Sequence, residues 1–148
     1  MIKRILDEEE LKTLGHHMDI KFSEKKGEFH PFLKHDPVKM ANRFGNKHIL
    51  QHQFFVWANK SEGVYDSMIA FLIDDVKFQE PIFVEYLWIS KNPKNGYKLF
   101  KEATKFARDR GMKYIVMGSS DSHSKGRLEK FYKKMGFLKD SSSYITKL

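Results

Sequence analysis

Three strand-length apolar runs in the middle of the chain restrict its fold more than any other feature. Gln51–Asn59 (QHQFFVWAN) and Val64–Asp74 (VYDSMIAFLID) flank a polar turn at Lys60-Ser61-Glu62-Gly63, and Ile82–Ser90 (IFVEYLWIS) follows Pro81. Such runs, rich in β-branched and aromatic residues and bounded by turn residues, are predicted strands, and the first two form an antiparallel hairpin. Beyond Ser90 the period changes. Leu99, Ala103, Phe106 and Ala107 recur at helical spacing, with Lys98, Lys101, Lys105 and Arg108 largely off that stripe, the pattern of an amphipathic helix. Arg110 and Gly111 supply a basic, glycine-capped end to it. Tyr114–Gly118 is a predicted short strand, and Leu128, Phe131, Tyr132 and Met135 repeat the helical stripe before Gly136.

The flanking segments complete the pattern. Ile2–Leu6 is a predicted strand, and Asp7 with three following glutamates opens a helix through Leu11 and Leu14. From Asp19 to Asp36 the chain mixes charge, Gly27, Pro31 and isolated aromatics without a period, which predicts a broken helix and a loop. Asp36-Pro37 is a cap followed by proline at the first helical position, opening a short helix through Met40, Ala41 and Phe44 toward Gly45. Tyr144–Leu148 can add a last strand. Strands and helices in this order make an α/β layer structure around a central mixed sheet.

The 148 residues, 41% of them hydrophobic, suffice for one domain with a real core and are too few for two comfortable ones. No apolar run approaches the roughly 18 to 20 residues that span a bilayer. The N-terminal residues turn acidic after Leu6 without a signal-peptide pattern, so the expectation is a cytoplasmic protein with no membrane partner. With no cysteine there is neither a disulfide framework nor a thiolate metal site or nucleophile. The charge is uneven: residues 1–90 carry 12 basic and 14 acidic side chains, residues 91–148 carry 15 and 5. A net charge of +10 in the C-terminal part suits an anionic partner, either a polyphosphate cofactor or a nucleic-acid backbone; the plain alternative is a set of solubilising lysines on helix faces.

Two segments carry candidate chemistry. Between the third core strand and the next helix the chain reads Ser90-Lys-Asn-Pro-Lys-Asn-Gly-Tyr-Lys98. A turn at Asn95-Gly96 running straight into a helix would aim free backbone N–H groups and the positive end of the helix dipole at one spot. Lys91, Lys94 and Lys98 surround that spot, a candidate pyrophosphate cradle; an ordinary turn-to-helix junction is the alternative. The segment has neither the Walker pattern nor the GxGxxG of dinucleotide folds.

The second segment is Phe131-Tyr-Lys-Lys-Met-Gly-Phe137. It resembles the C-terminal signature of the GNAT superfamily of acetyl-CoA-dependent N-acetyltransferases, in which an aromatic, Tyr, a few residues and Gly-Phe close the cofactor site. The order of predicted elements is similar to that family over essentially the whole chain. The resemblance implies a single domain over 1–148, with a three-layer fold in which helices flank a central mixed, twisted sheet. It implies direct transfer of an acetyl group from acetyl-CoA, the cosubstrate, to an amine acceptor in a ternary complex. It makes Tyr132 the general acid toward the leaving thiolate, a role that a phenol of pKa about 10 can fill. Main-chain groups of Leu87, Trp88 and Ile89 would pair with the pantetheine arm as an added strand. Glu85 falls where many relatives place the carboxylate that deprotonates the acceptor, and a strand glutamate flanked by Phe83, Val84, Tyr86 and Leu87 is costly to bury without a partner.

Lys91, Lys94, Asn95, Gly96, Tyr97 and Lys98 would meet the cofactor phosphates, with Ser124 near the start of the final helix. The family's phosphate loop has Arg or Gln, two residues, Gly, one residue, then Gly or Ala; here those positions are Lys91, Lys94 and Gly96, so the last glycine alone is kept. The asparagine that often precedes the final helix is missing, with Ser124 and Lys125 nearby. The rival reading is a catalytically degenerate scaffold of this fold that binds nucleic acid or protein through the basic C-terminal part. Seven histidines offer no clear ligand set for a metal: His16-His17 diverge on a helix and His48-x-x-x-His52 spans a predicted loop-to-strand boundary. His30 and His35 lie in the unpatterned segment that borders the acceptor pocket in such proteins, and Asp121-Ser-His123 lacks triad geometry. The acceptor is of unknown class, and the open edge strands of the fold suit a monomer or a homodimer.

Overall fold

A computed structural model describes residues 1–24, 36–118, 126–139 and 147–148. The chain divides into two compact units, Met1–Glu24 with His35–Met117, and Lys25–Lys34 with Gly118–Leu148. The first unit holds, in order, β1 (Ile2–Ile5), α1 (Glu8–Glu24), α2 (Pro37–Phe44), α3 (Lys47–His52), β2 (Phe54–Ser61), β3 (Val64–Asp74), β4 (Ile82–Ser90), α4 (Pro93–Asp109) and β5 (Ile115–Val116). The second holds α5 (Arg127–Lys134).

The five strands form one sheet in the order β1-β2-β3-β4-β5, antiparallel except for the parallel pair β4–β5. The hairpin turns on two residues, Glu62 (φ 52°) and Gly63 (φ 78°), the paired left-handed conformation that matches the twist of the flanking strands and that glycine adopts without steric cost.

Strand alternation sends two apolar sets to opposite faces. On one face Phe55 and Trp57 of β2 and Phe83 of β4 meet Phe106 of α4, and Phe71 of β3 stacks on Phe83 at 4.3 Å. On the other, Ile5, Val56, Met68 and Ala70 are buried, as are Leu11, Leu14 and Met18 of α1. Arg4, opposite Trp57 in the register, lies on the α4 face. Its guanidinium stands 4.7 Å from the Phe106 ring, with that of Arg110 4.6 Å from the same ring. Nη2 of Arg4 donates to the carbonyls of Leu50 and Gln51 at the end of α3 (3.0 and 3.2 Å). Burial and then the charge of Arg110 lower the Arg4 pKa; the π faces and the negative end of α3 hold the charge in place.

Capping follows the local sequence closely. Asp7 accepts from the Glu10 amide, and Asp36, followed by Pro37, accepts from that of Lys39. Several expected boundaries move. The aperiodic stretch after Asp19 continues α1 to Glu24, and its remainder, residues 25–35 with His30 and His35, lies outside the described residues. Lys47–His52 forms α3 because Asn46 caps it, accepting from His48 and Ile49, so β2 starts at Phe54 and not Gln51. Its far end reaches Ser61, shortening the turn. The Tyr114–Gly118 strand shrinks to Ile115–Val116. The expected last strand, Tyr144–Leu148, falls mostly on residues 140–146, which are not described. No described helix is long and apolar enough to cross a membrane.

Candidate active site

Among the described residues the sheet departs from regularity at two places, the β2–β3 register between Asn59 and Lys60 and the middle of β4. Phe71 of β3 pairs with Glu85, and its neighbour Ala70 pairs with Leu87, so Tyr86 is an extra residue on β4. A bulge of this kind bends its strand and increases the local twist. The parallel ladder to β5 pairs Phe83 with Ile115 and Val84 with Val116, and among the described residues it stops there, immediately before the bulge. From Glu85 to Ser90 the described strand alongside β4 is β3.

Alternation and register assign the side chains. Glu85, half-buried, shares the α4 face with Phe83 and with Trp88, which stacks on Phe100 of α4 at 5.6 Å. Leu87 and Ile89, both buried, face the α1 side. Tyr86 turns to that side too, meeting Phe44 of α2 edge-on at 5.4 Å and Phe54 at 5.2 Å. The Tyr86 residue stays 41% exposed while burial of its phenol raises the pKa. Sequence reasoning missed Tyr86, since an aromatic in an apolar strand carries no mark of a bulge.

The segment after β4 differs from its expected form. Asn95 and Gly96 lie within α4, which starts at Pro93, so the connecting loop is Lys91 and Asn92. Few amide donors remain free at this helix start. Pro93 has no N–H, the Lys94 amide donates to Asn92 Oδ1 (3.0 Å), and the Gly96 amide donates to the Asn92 carbonyl (3.0 Å). The Ser90 hydroxyl donates to the same carbonyl.

Gly96 is buried against the sheet. A Cβ placed there would lie 2.9 Å from Cβ of Ser90 and 3.5 Å from Nε1 of Trp88. The glycine thus serves close packing of helix on strand. This corrects the cradle reading, in which its bare backbone admits a phosphate.

Anion-binding capacity rests instead on side chains and the helix dipole. Lys91, Lys94 and Lys98 are exposed around the first turn of α4, which contains no acidic residue. Tyr97, also exposed, carries the Lys101 ammonium 5.1 Å from its ring. The Asn95 side chain points inward, its Nδ2 donating to Asp66 of β3 (3.2 Å). The donor set therefore fits a pyrophosphate held by lysine ammonium groups at a helix N-terminus.

In the second unit, α5 begins after Gly126 (φ 81°) and ends before Gly136 (φ 87°). Tyr132 is buried there, its ring 5.3 Å from Phe137 and its phenol donating to the Gly118 carbonyl at 2.7 Å. The Phe137 amide closes back on the Tyr132 carbonyl (2.9 Å), so the Tyr-x-x-x-Gly-Phe spacing works as a helix stop that fixes this tyrosine. Ser124, Asp121 and His123 lie outside the described residues.

The histidine pair His48 and His52 stands on α3 and not across a loop-to-strand boundary, with rings 4.7 Å apart and both residues exposed. Among the described residues no three metal-ligating side chains come together.

No family model and no curated protein matches the chain. Solved structures do resemble it over its full length. An aminoglycoside acetyltransferase, meta-AAC0020 from an uncultured soil metagenomic sample, in complex with sisomicin, is 15% identical with a TM-score of 0.69, covering 100% of this chain and 95% of that one. A ribosomal-protein-alanine N-acetyltransferase from Brucella melitensis biovar Abortus 2308 is 12% identical with a TM-score of 0.65, covering 100% and 99%. A predicted acetyltransferase with acetyl-CoA from Clostridium acetobutylicum is 15% identical with a TM-score of 0.66, covering 100% and 96%. At these identities the likeness is one of fold.

Proposed function

We propose that this chain, which has the GNAT acetyltransferase fold, transfers an acetyl group from acetyl-CoA to the nitrogen of an amine acceptor. One observation carries the reading: among the described residues the β4–β5 ladder ends beside a bulge at Tyr86, and β4 then leads through Lys91 and Asn92 into a lysine-rich helix N-terminus. Acetyl-CoA supplies an activated acyl group, a pantetheine arm with amides and a pyrophosphate. Main-chain groups of Leu87, Trp88 and Ile89 hold the arm as an added strand. Lys91, Lys94 and Lys98 neutralise the phosphates, with Tyr97 beside them. Because ammonium groups carry most of this contact, binding is expected to be more salt-sensitive than a backbone cradle would make it.

For transfer, the acceptor nitrogen loses a proton and forms a bond to the acyl carbon as the carbon–sulfur bond breaks, and sulfur gains a proton. Glu85 takes the proton from nitrogen, directly or through water. Tyr132 gives one to sulfur, which requires its phenol to leave the Gly118 carbonyl to which it donates. Backbone N–H groups of β4 beyond the bulge polarise the carbonyl, so that positioned dipoles carry the stabilisation. The likeness to enzymes named for an aminoglycoside and for a ribosomal-protein alanine supports an amine as the acceptor class.

Calorimetric titration of CoA into the protein at two salt concentrations, with a short DNA duplex as control, tests the reading. Saturable CoA binding, weakened by Lys94→Ala or Lys98→Ala and by added salt, supports it. Absence of CoA binding together with salt-sensitive duplex binding replaces it with the scaffold reading.

A further inference from the structure

We propose that Asp66 is a positioning residue for the anion-binding end of α4; the proposal rests on the CoA reading above. Asp66 sits in β3 and touches both sides of the β4–α4 junction. Its backbone carbonyl accepts from the Lys91 amide (3.1 Å), and its carboxylate oxygen Oδ2 accepts from Asn95 Nδ2 (3.2 Å). Three more donors converge on the same carboxylate: Asn59 Nδ2 (3.0 Å) and the Ser67 hydroxyl (2.7 Å) on Oδ1, and the Ser61 hydroxyl (3.2 Å) on Oδ2. Asn92, Pro93 and Lys94, the turn that presents the lysines, are thus bracketed by two bonds to one residue.

The arrangement favours an ionised carboxylate. Each of its oxygens takes two donors, one amide and one hydroxyl, and an asparagine at position 66 would set its own N–H groups against the side-chain amide of either Asn59 or Asn95. Burial works to raise the Asp66 pKa, yet the hydrogen bonds from Asn59, Ser67, Ser61 and Asn95 outweigh it and keep the value below the ordinary carboxylate range. Lacking an acid in its own first turn, α4 has this carboxylate brought to it from the neighbouring strand. A negative charge beside a phosphate site should by itself repel the ligand. Geometry and charge therefore act in opposite directions, which gives the proposal a sign that can be tested.

The experiment compares wild type, Asp66→Asn, Asn95→Ala and the double variant by CoA calorimetry, acetyl-CoA kinetics, and ligand-free amide hydrogen exchange at Gly96 and Ala107. If Asp66 positions the helix end, each single substitution weakens CoA about fivefold, the value of one lost hydrogen bond. The KM for acetyl-CoA then rises alike while kcat stays within about twofold. The double variant is no weaker than the worse single one, and exchange quickens at Gly96, whose amide makes an early helical bond to Asn92, but not at Ala107. Tighter CoA binding by Asp66→Asn, additive losses, or unchanged exchange at Gly96 overturns the proposal. A wild type that binds no CoA overturns the functional reading and the cofactor half of this one, and quickened exchange would then support the tether alone. If Asp66→Asn does not fold, Asn95→Ala leaves three of the four carboxylate bonds in place and carries the same comparison.

Discussion

Replacing Gly96 by alanine sets two effects of known sign against each other. In an exposed helix interior the change would stabilise by about 1 kcal/mol, because glycine loses more backbone freedom on folding. Here the new methyl would stand 2.9 Å from Cβ of Ser90 and 3.1 Å from its Oγ. Real Cβ atoms do not approach a strand this closely, and Ser90 Cβ is fixed to the backbone. Overpacking costs about 1–3 kcal/mol in comparable sites, so the net expectation is a destabilisation of about 1 kcal/mol. At this chain length that lowers Tm by about 2–4 °C.

Urea unfolding followed by circular dichroism measures it, and Ser90→Gly supplies the control. With the facing Cβ removed, Gly96→Ala should become neutral or stabilising, giving a coupling of about 1–2 kcal/mol between the two positions. The same substitution in the Ser90 background should weaken CoA by displacing the first turn. A Gly96→Ala variant that is more stable than wild type and binds CoA equally well would refute the packing argument.

Three further outcomes are expected. Tyr132→Phe should lower kcat far more than acetyl-CoA affinity in steady-state and titration measurements, and cost about 1 kcal/mol of stability through the lost bond to Gly118. Asp66, with a folded pKa below its unfolded one, contributes stability that is present above the ordinary carboxylate pKa and disappears as pH falls through its lower folded value. The gap in urea midpoint between wild type and Asp66→Asn should therefore be constant from pH 7 to pH 5 and close below about pH 4. Arg4→Lys keeps the charge but loses the planar fork that serves two carbonyls of α3 and stacks on Phe106, and should destabilise by about 1–2 kcal/mol in the same unfolding assay.

Sequence reasoning recovered what is local and periodic. The stripe of Leu99, Ala103 and Ala107 is the buried side of α4, and Ile82–Ser90 is β4 to the residue. Asp36-Pro37 caps α2 as its chemistry requires. The same chemistry stands at Asn92-Pro93, yet Asn95-Gly96 drew the reading to a turn, because a glycine kept for helix-on-strand contact looks in sequence like one kept for a bend. α3 is six residues long and shows no period; Asn46 is its one local mark. The bulge at Tyr86 exists in the pairing of β3 with β4, and the bonds to Asp66 come from residues as far apart as Asn59 and Asn95. Neither leaves a mark on neighbouring residues.

The extra residue of β4 shifts the alternation of its side chains by one position. Before Tyr86 the odd positions Phe83 and Glu85 look toward α4; after it the even position Trp88 does. A chain lacking Tyr86 would keep every one of these orientations, since Leu87 would follow Glu85 as Ala70 neighbours Phe71 across the ladder. Such a chain would have a more regular β3–β4 ladder. The spare residue thus adds to the twist of β4 at the point where, among the described residues, its ladder with β5 ends. Removing that one residue is then a way to straighten the strand without turning any of its side chains to the other face.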